Sequence, residues 1–254
     1  MVQAKADEFS GFRVMLVTPT YGPVDPICAK DLRVAVMGAS NHGVYWCGDG
    51  SGDRMGYSLT RNGSTQIAYE KEDIGGIMWV DSDIRPAPNS ILSILASVRD
   101  FKAEFVTGIY HQRAGRNLPV IYDFDEETEH FRQYQGYPEN TFMPVDGCGF
   151  GFVWTSRKLI RAIAEHPEFK QEDGWFPDKR DAGGYGEDLS FCYQARRAGF
   201  QLYANTSVQV GHLAAPYVVT RQDFLNKEVK GDELAKVVLK ERKNIGVWGE
   251  REDD

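Results

Sequence analysis

Asp81 and Asp83 set two carboxylates one residue apart in a chain of 254 residues. Carboxylate oxygens suit divalent cations such as Mg²⁺ or Mn²⁺, so the first chemistry this spacing offers is metal binding. The competing reading is a polar turn, because Asp and Ser both favour turns. The pair follows Ile77-Met78-Trp79-Val80, an apolar run that ends abruptly at the acids. Such a run reads as a buried strand. In open α/β sheets, ligands sit outside the carboxyl ends of the strands. Two later groups carry further chemistry. Glu187-Asp188 opens a helical pattern just after the glycine-rich stretch Asp181 to Gly186, and His212 follows the apolar end of a late strand. Each has a plain alternative. Acidic residues favour a helix N-terminus electrostatically, and a histidine at a strand end is often structural.

These groups meet only if the elements bearing them reach one rim of a sheet. Arg13 to Thr18 is a short apolar strand closed by Pro19-Thr20-Tyr21-Gly22, and Asp25-Pro26 caps a helix with Leu32, Ala35, Val36 and Ala39 at helical spacing. Val44 to Cys47 is a second strand running into Gly48-Asp49-Gly50-Ser51-Gly52-Asp53, and a second helix spans about 64–71, just after Arg61-Asn62. The strand at 77–80 follows. Then comes a helix whose face is Ile91, Ile94, Leu95 and Val98, and a strand at 104–110. That alternation predicts a mostly parallel sheet covered by helices. Val120 to Phe124 and His130 to Tyr134 flank an acidic turn and predict a small antiparallel hairpin insertion. Val145 to Trp154 reads as one apolar strand broken by Gly147, Gly149 and Gly151, where a ligand could approach the backbone. A cap at Thr155 or Ser156 starts the next helix, 172–186 reads as an irregular loop with exposed aromatics, and Gln201 to Val210 is the last strand.

The bulk numbers bound the class. With 42% hydrophobic and 26% charged residues the chain is an ordinary globular one. A net charge of −8 carries no broad footprint for nucleic acid. No apolar run approaches the roughly 20 residues that span a bilayer, and the polar start lacks a signal-peptide core. Cys28, Cys47, Cys148 and Cys192 form no Cys-x-x-Cys pair and point to buried free thiols. The expectation is a cytoplasmic protein of one domain over 1–254, with a loose lead-in at 1–12 and a partly helical tail at 221–254.

The order of these pieces resembles the GT-A glycosyltransferases. It rests on Val17-Thr18-Pro19-Thr20-Tyr21, Trp79-Val80-Asp81-Ser82-Asp83, Gly147 to Phe152, Gly186-Glu187-Asp188-Leu189, and Val210-Gly211-His212. The resemblance spans about residues 13–212. It implies a Rossmann-like three-layer α/β sandwich and transfer of a sugar from a nucleoside diphosphate donor, UDP being the first expectation. Under it, Asp83 and His212 bind a divalent metal, and Asp81 lies near the ribose or the metal's water. Imidazole with carboxylates favours Mn²⁺ over Mg²⁺. Asp188 matches the general base of inverting members, and Glu187 is assigned to acceptor or donor-sugar hydroxyls. Thr18, Pro19, Thr20, Tyr21 and Asp49 match the donor-binding loops. Arg61 would meet the diphosphate or stand solvated. Gly147 and Gly149 would admit the sugar, and Trp175 would stack on the acceptor or fill the core. The acceptor is open among glycans, metabolites, proteins and modified nucleic acid, as is the oligomeric state. Against this stand a glycoside hydrolase with paired carboxylates, a nucleotidyltransferase, for which the loop after the first strand is not glycine-rich and basic, and a non-catalytic sugar or nucleotide binder.

Overall fold

Short apolar runs alternate with amphipathic ones through the first half of the chain, and the fold follows them. β1 (Arg13–Val17), α1 (Pro26–Ser40), β2 (Tyr45–Asp49), α2 (Tyr57–Glu70), β3 (Gly76–Val80), the short β4 (Ile84–Arg85), α3 (Ser90–Phe101) and β5 (Phe105–Ile109) succeed one another. The second half gives β6 (Ile121–Asp125), β7 (His130–Gln133), β8 (Phe142–Val145), β9 (Gly147–Cys148), β10 (Phe152–Ser156), α4 (Arg157–Ala164), α5 (Glu187–Arg197), β11 (Leu202–Gln209), β12 (Gly211–Ala214) and β13 (Tyr217–Val219). The structure, a computed structural model, describes residues 8–20, 24–50, 56–169, 171–182, 184–214, 217–222 and 224–225.

Seven strands form the central sheet in the order β2-β1-β3-β10-β5-β11-β8. β1 is parallel to β2 and β3, and β5 to β11, while β10 and β8 run back against their neighbours. Alternation along each strand divides the core between two faces. Ile77 and Trp79 of β3 join Leu159, Ile160 and Phe191 of α4 and α5. Met78 and Val80 join Ala35 of α1 and Ile91, Ile94 and Leu95 of α3. This is the mostly parallel, three-layer α/β sandwich that the sequence leads one to expect. The α3 face Ile91, Ile94 and Leu95 is fully buried, each side chain contributing about 1.5–3 kcal/mol. The caps follow the sequence too. Asp25 Oδ1 accepts from Ile27 N at 2.8 Å, and Ser156 Oγ accepts from Leu159 N at 3.1 Å. The predicted hairpin is β6–β7, part of a separate three-stranded sheet with β9.

Two expectations are corrected. The apolar stretch 145–154 is not one strand: β8 lies at an edge of the main sheet, β9 pairs with β6, and β10 lies inside the main sheet. Asp146 N bonds Tyr122 O and Gly149 N bonds Val120 O, so the chain crosses between sheets within a few residues. The second helix begins at Tyr57, and Gly63 does not stop it. Glycine costs about 1 kcal/mol in a helix, which the burial of Thr60, Arg61, Ser64 and Thr65 outweighs. Phe9 of the expected loose lead-in is buried, with its N–H on His42 O. At the tail, Phe224 is buried against His111, ring centroids 5.5 Å apart; the expected helix beyond it lies outside the described residues.

Candidate active site

The ends of β1, β2, β3, β5 and β11 face one rim, and the start of β10 returns to it. Asp81 leaves β3 with its N–H on Gly151 O at 2.9 Å, and its carbonyl accepts from Ile84 N at 3.0 Å. The tight turn that results sends Asp81 and Asp83 into different surroundings.

Asp81 meets Arg61. Arg61 Nη2 lies 3.0 Å and 3.3 Å from the two Asp81 oxygens. Nη1 donates to Asp188 Oδ1, and to Glu187 Oε1 at 3.3 Å. The guanidinium is 1% exposed and stacks on Phe150, Tyr57 and Phe176 at 5.4–5.8 Å. The two phenylalanine rings rest in turn on Trp79, which packs edge-on against both and donates its indole N–H to Thr155 Oγ1 at 2.9 Å. Burial alone would lower the Arg61 pKa, but Asp188, Asp81 and Glu187 more than reverse this, and the cation is fixed. The next residue, Asn62, accepts from the N–H groups of Trp175 (2.8 Å) and Phe176 (3.0 Å) and pins the loop that closes over Arg61. Gly174 sits there at φ +68°, where a Cβ would strike Asn62.

Asp188 stands in the first turn of α5. Its Oδ2 accepts from Phe150 N at 3.2 Å. Burial pushes its pKa up to about 7, with Arg61 opposing and Glu187 and Asp81 adding. Burial also raises Asp81 despite Arg61. Tyr110 is buried behind these acids and accepts from Gly151 N at 3.2 Å; burial holds its hydroxyl protonated, with Asp188 and Asp81 reinforcing.

Asp83 meets His212 because β4 pairs antiparallel with β12, setting Ile84 opposite His212, and Leu213 N donates to Asp83 O at 2.8 Å. His212 Nε2 lies 3.4 Å from Asp83 Oδ2. Its Nδ1 bonds the His111 carbonyl at 2.7 Å and must donate there, so in the neutral ring Nε2 carries the lone pair towards Asp83. A cation between Nε2 and Oδ2 would find two ligands. Arg113, two residues past His111, places Nη1 2.9 Å from the same Oδ2. Burial would raise the Asp83 pKa, but the hydrogen bond and charge of His212 in its protonated form, with Arg113, hold it below its ordinary value. Among the described residues, no group of three or more His, Cys, Asp or Glu is set to hold a metal. Asp83 and His212 are thus a two-ligand arrangement, and Asp81 is turned away from it to Arg61.

Thr18, Pro19 and Thr20 follow β1, beside β3. Asp49 ends β2 on the far side of β1 and is exposed. Tyr21 lies outside the described residues. Three expectations change. Arg61 is neither solvated nor directed to solvent-borne phosphate; three carboxylates surround it. Gly147 and Gly149 give room to protein, since a Cβ would strike Phe131 and Leu189 at the first and the Tyr110 hydroxyl at the second. Trp175 is 8% exposed, with Nε1 on Ile160 O at 2.9 Å, and so fills the core. It lines a cleft of about 240 Å³ with Gln66, Tyr69 and Phe169, in the α2–α4–α5 layer. Sequence reasoning missed Arg113, Tyr110 and Phe150. Arg113 had a signal: a cation just past the end of a strand, where ligands of such sheets bind.

No family model and no curated protein sequence matches the chain. Crystal structures similar to it include the following two. A197 from STIV is 18% identical, with 84% of this chain and 92% of that one covered, at a TM-score of 0.58. GalNAc-T7 with UDP, GalNAc and Mn²⁺ is 11% identical, with 84% and 47% covered, at a TM-score of 0.48. The likeness to A197 shows a shared fold over most of both chains. No helix among the described residues is long and apolar enough to cross a membrane.

Proposed function

We propose that this chain is a GT-A glycosyltransferase that moves a sugar from a nucleoside diphosphate sugar to an acceptor hydroxyl. One observation carries the reading. Asp83 with His212, and Asp81 with Glu187 and Asp188, gather at the rim where the parallel strands end, although they lie far apart in sequence. Asp83 Oδ2 and His212 Nε2 would hold the divalent ion, Mn²⁺ before Mg²⁺, with the diphosphate and water completing its shell. A bound ion supplies neutralisation of the charge that grows on the leaving diphosphate.

The chain's own groups do the rest. Thr18, Pro19 and Thr20 border the place for the nucleoside. Asp81, held rigid by Arg61, faces donor hydroxyls. Asp188 receives the acceptor proton as the acceptor oxygen bonds to the anomeric carbon and the bond to the diphosphate oxygen breaks, inverting that carbon. A base poised near neutrality suits this role, and a pKa pushed to about 7 supports it. Phe150 N–H and Arg61 fix the orientation of that carboxylate, and Glu187 is left to bind a sugar hydroxyl.

The test is release of nucleoside diphosphate from UDP-, GDP- and dTDP-sugars in MnCl₂. Metal-dependent release from one donor, absent in Asp188→Asn, is expected. Release that persists in Asp188→Asn would remove Asp188 from the base role, and no response to any donor or metal would defeat the reading. Cleavage of glycosides without metal or nucleotide would favour the hydrolase instead.

A further inference from the structure

Four carboxylates line this rim, and the buried guanidinium of Arg61 is spent on three of them. Asp83 is the fourth. Arg180 Nη2 lies 3.7 Å from Glu187 Oε2, on the Asp188 half; on the Asp83 half, recognition of an incoming diphosphate beside the ion calls for a further cation. Arg61 cannot turn to it, being 1% exposed and tied to Asp81, Glu187 and Asp188. Arg113 can. Its side chain is 54% exposed, and its Nη1 already sits 2.9 Å from Asp83 Oδ2. A pair this open to water is weak and readily exchanged. Its five donors match phosphate oxygens in geometry.

The backbone that carries Arg113 is also placed for this task. His111 O receives the His212 Nδ1 proton, and two residues later Arg113 reaches Asp83. Gln112 N bonds Leu118 O at 2.9 Å, so the loop is closed at its base, immediately beside Arg113. One short segment thus supports both residues assigned to the ion.

We propose that Arg113 is an exchanging cation: it neutralises Asp83 in the empty site and, once a divalent ion has taken Asp83, binds the diphosphate of the nucleotide. This rests on the donor reading above and adds a diphosphate-binding residue to it. Arg113 acts in binding and orientation; it takes no proton and forms no bond.

The test uses equilibrium binding to the full chain. Calorimetry measures Mn²⁺ alone, and then UDP, GDP and dTDP in excess Mn²⁺, for wild type, Arg113→Gln and Arg113→Lys. Exchange predicts opposite shifts in Arg113→Gln. Mn²⁺ alone binds severalfold tighter because its competitor is gone, while the nucleotide binds roughly tenfold weaker because a charged hydrogen-bond donor to phosphate is lost. Arg113→Lys keeps the charge and recovers part of the nucleotide affinity. Nucleotide affinity in Arg113→Gln within about twofold of wild type overturns the assignment alone. A parallel loss of Mn²⁺ and nucleotide affinity also overturns it, by making Arg113 a support for the His111 loop. If wild type binds none of the three nucleotides in Mn²⁺, the donor reading falls and this proposal with it.

Discussion

Asp81 and Asp83 leave the same strand one residue apart and enter opposite electrostatic worlds. Asp81 faces a buried arginine braced by Phe150, Phe176 and two further carboxylates, and its pKa is raised by burial. Asp83 faces His212 and the half-exposed Arg113, and its pKa is lowered despite burial. The first half is a fixed scaffold in which every charge already has a partner. The second half sets Asp83 against His212 and against the exposed, exchangeable Arg113, which suits a site that is to admit a metal and an anion. Two aspartates of one motif therefore take different partners by the direction each side chain takes from one turn, and under the proposed function only Asp83 is left to a ligand.

The comparison breaks most severely at Arg61. Arg61→Met leaves Asp81, Glu187 and Asp188 clustered without their common cation, and removing one partner of a buried pair costs about 3–5 kcal/mol. Urea unfolding should report a loss of that size; a loss below about 1 kcal/mol would deny the scaffold. Asp188→Asn should lower the transfer rate by roughly 10²–10⁴ and leave nucleotide affinity unchanged. Its stability effect has a defined sign. The folded pKa lies above the ordinary 3.8, at about 7, so this group's contribution is full below the unfolded pKa and is lost as pH rises through about 7. The Tm of Asp188→Asn relative to wild type should therefore rise between pH 5 and pH 8, while wild-type transfer increases with pH through about 7. A relative Tm that is flat with pH would contradict the raised pKa.

Asp83→Ala tests the other half. Mn²⁺ binding should vanish by calorimetry, with stability changed by no more than about 1 kcal/mol because its partners are partly exposed. Smallest is the control outside both halves. Trp175→Phe loses the indole bond to Ile160 O at a cost of about 1–2 kcal/mol and leaves acceptor KM unchanged. A severalfold rise in that KM would restore Trp175 to the acceptor site.

The acids and His212 were legible because strand ends and helix starts put polar residues at known places in an α/β sheet. Their partners were not. Whether Arg61 meets water, phosphate or carboxylate depends on what the 174–176 loop and α5 bring over it, and no local pattern carries that. Gly147 and Gly149 read as openings for a ligand because sequence records the missing side chain and not the Phe131 or Tyr110 that fills the space. The run from 145 to 154 reads as one strand because periodicity reports burial, not which of two sheets does the burying.

The central claim is that the Asp83–His212 half holds a divalent ion together with a nucleoside diphosphate. Calorimetric titration of UDP, GDP and dTDP into wild type and Asp83→Ala, with and without MnCl₂, tests it most directly. At least one nucleotide should bind wild type with an affinity that depends on Mn²⁺, and Asp83→Ala should lose that dependence. Equal affinity with and without the metal, or no binding of any of the three, would contradict it.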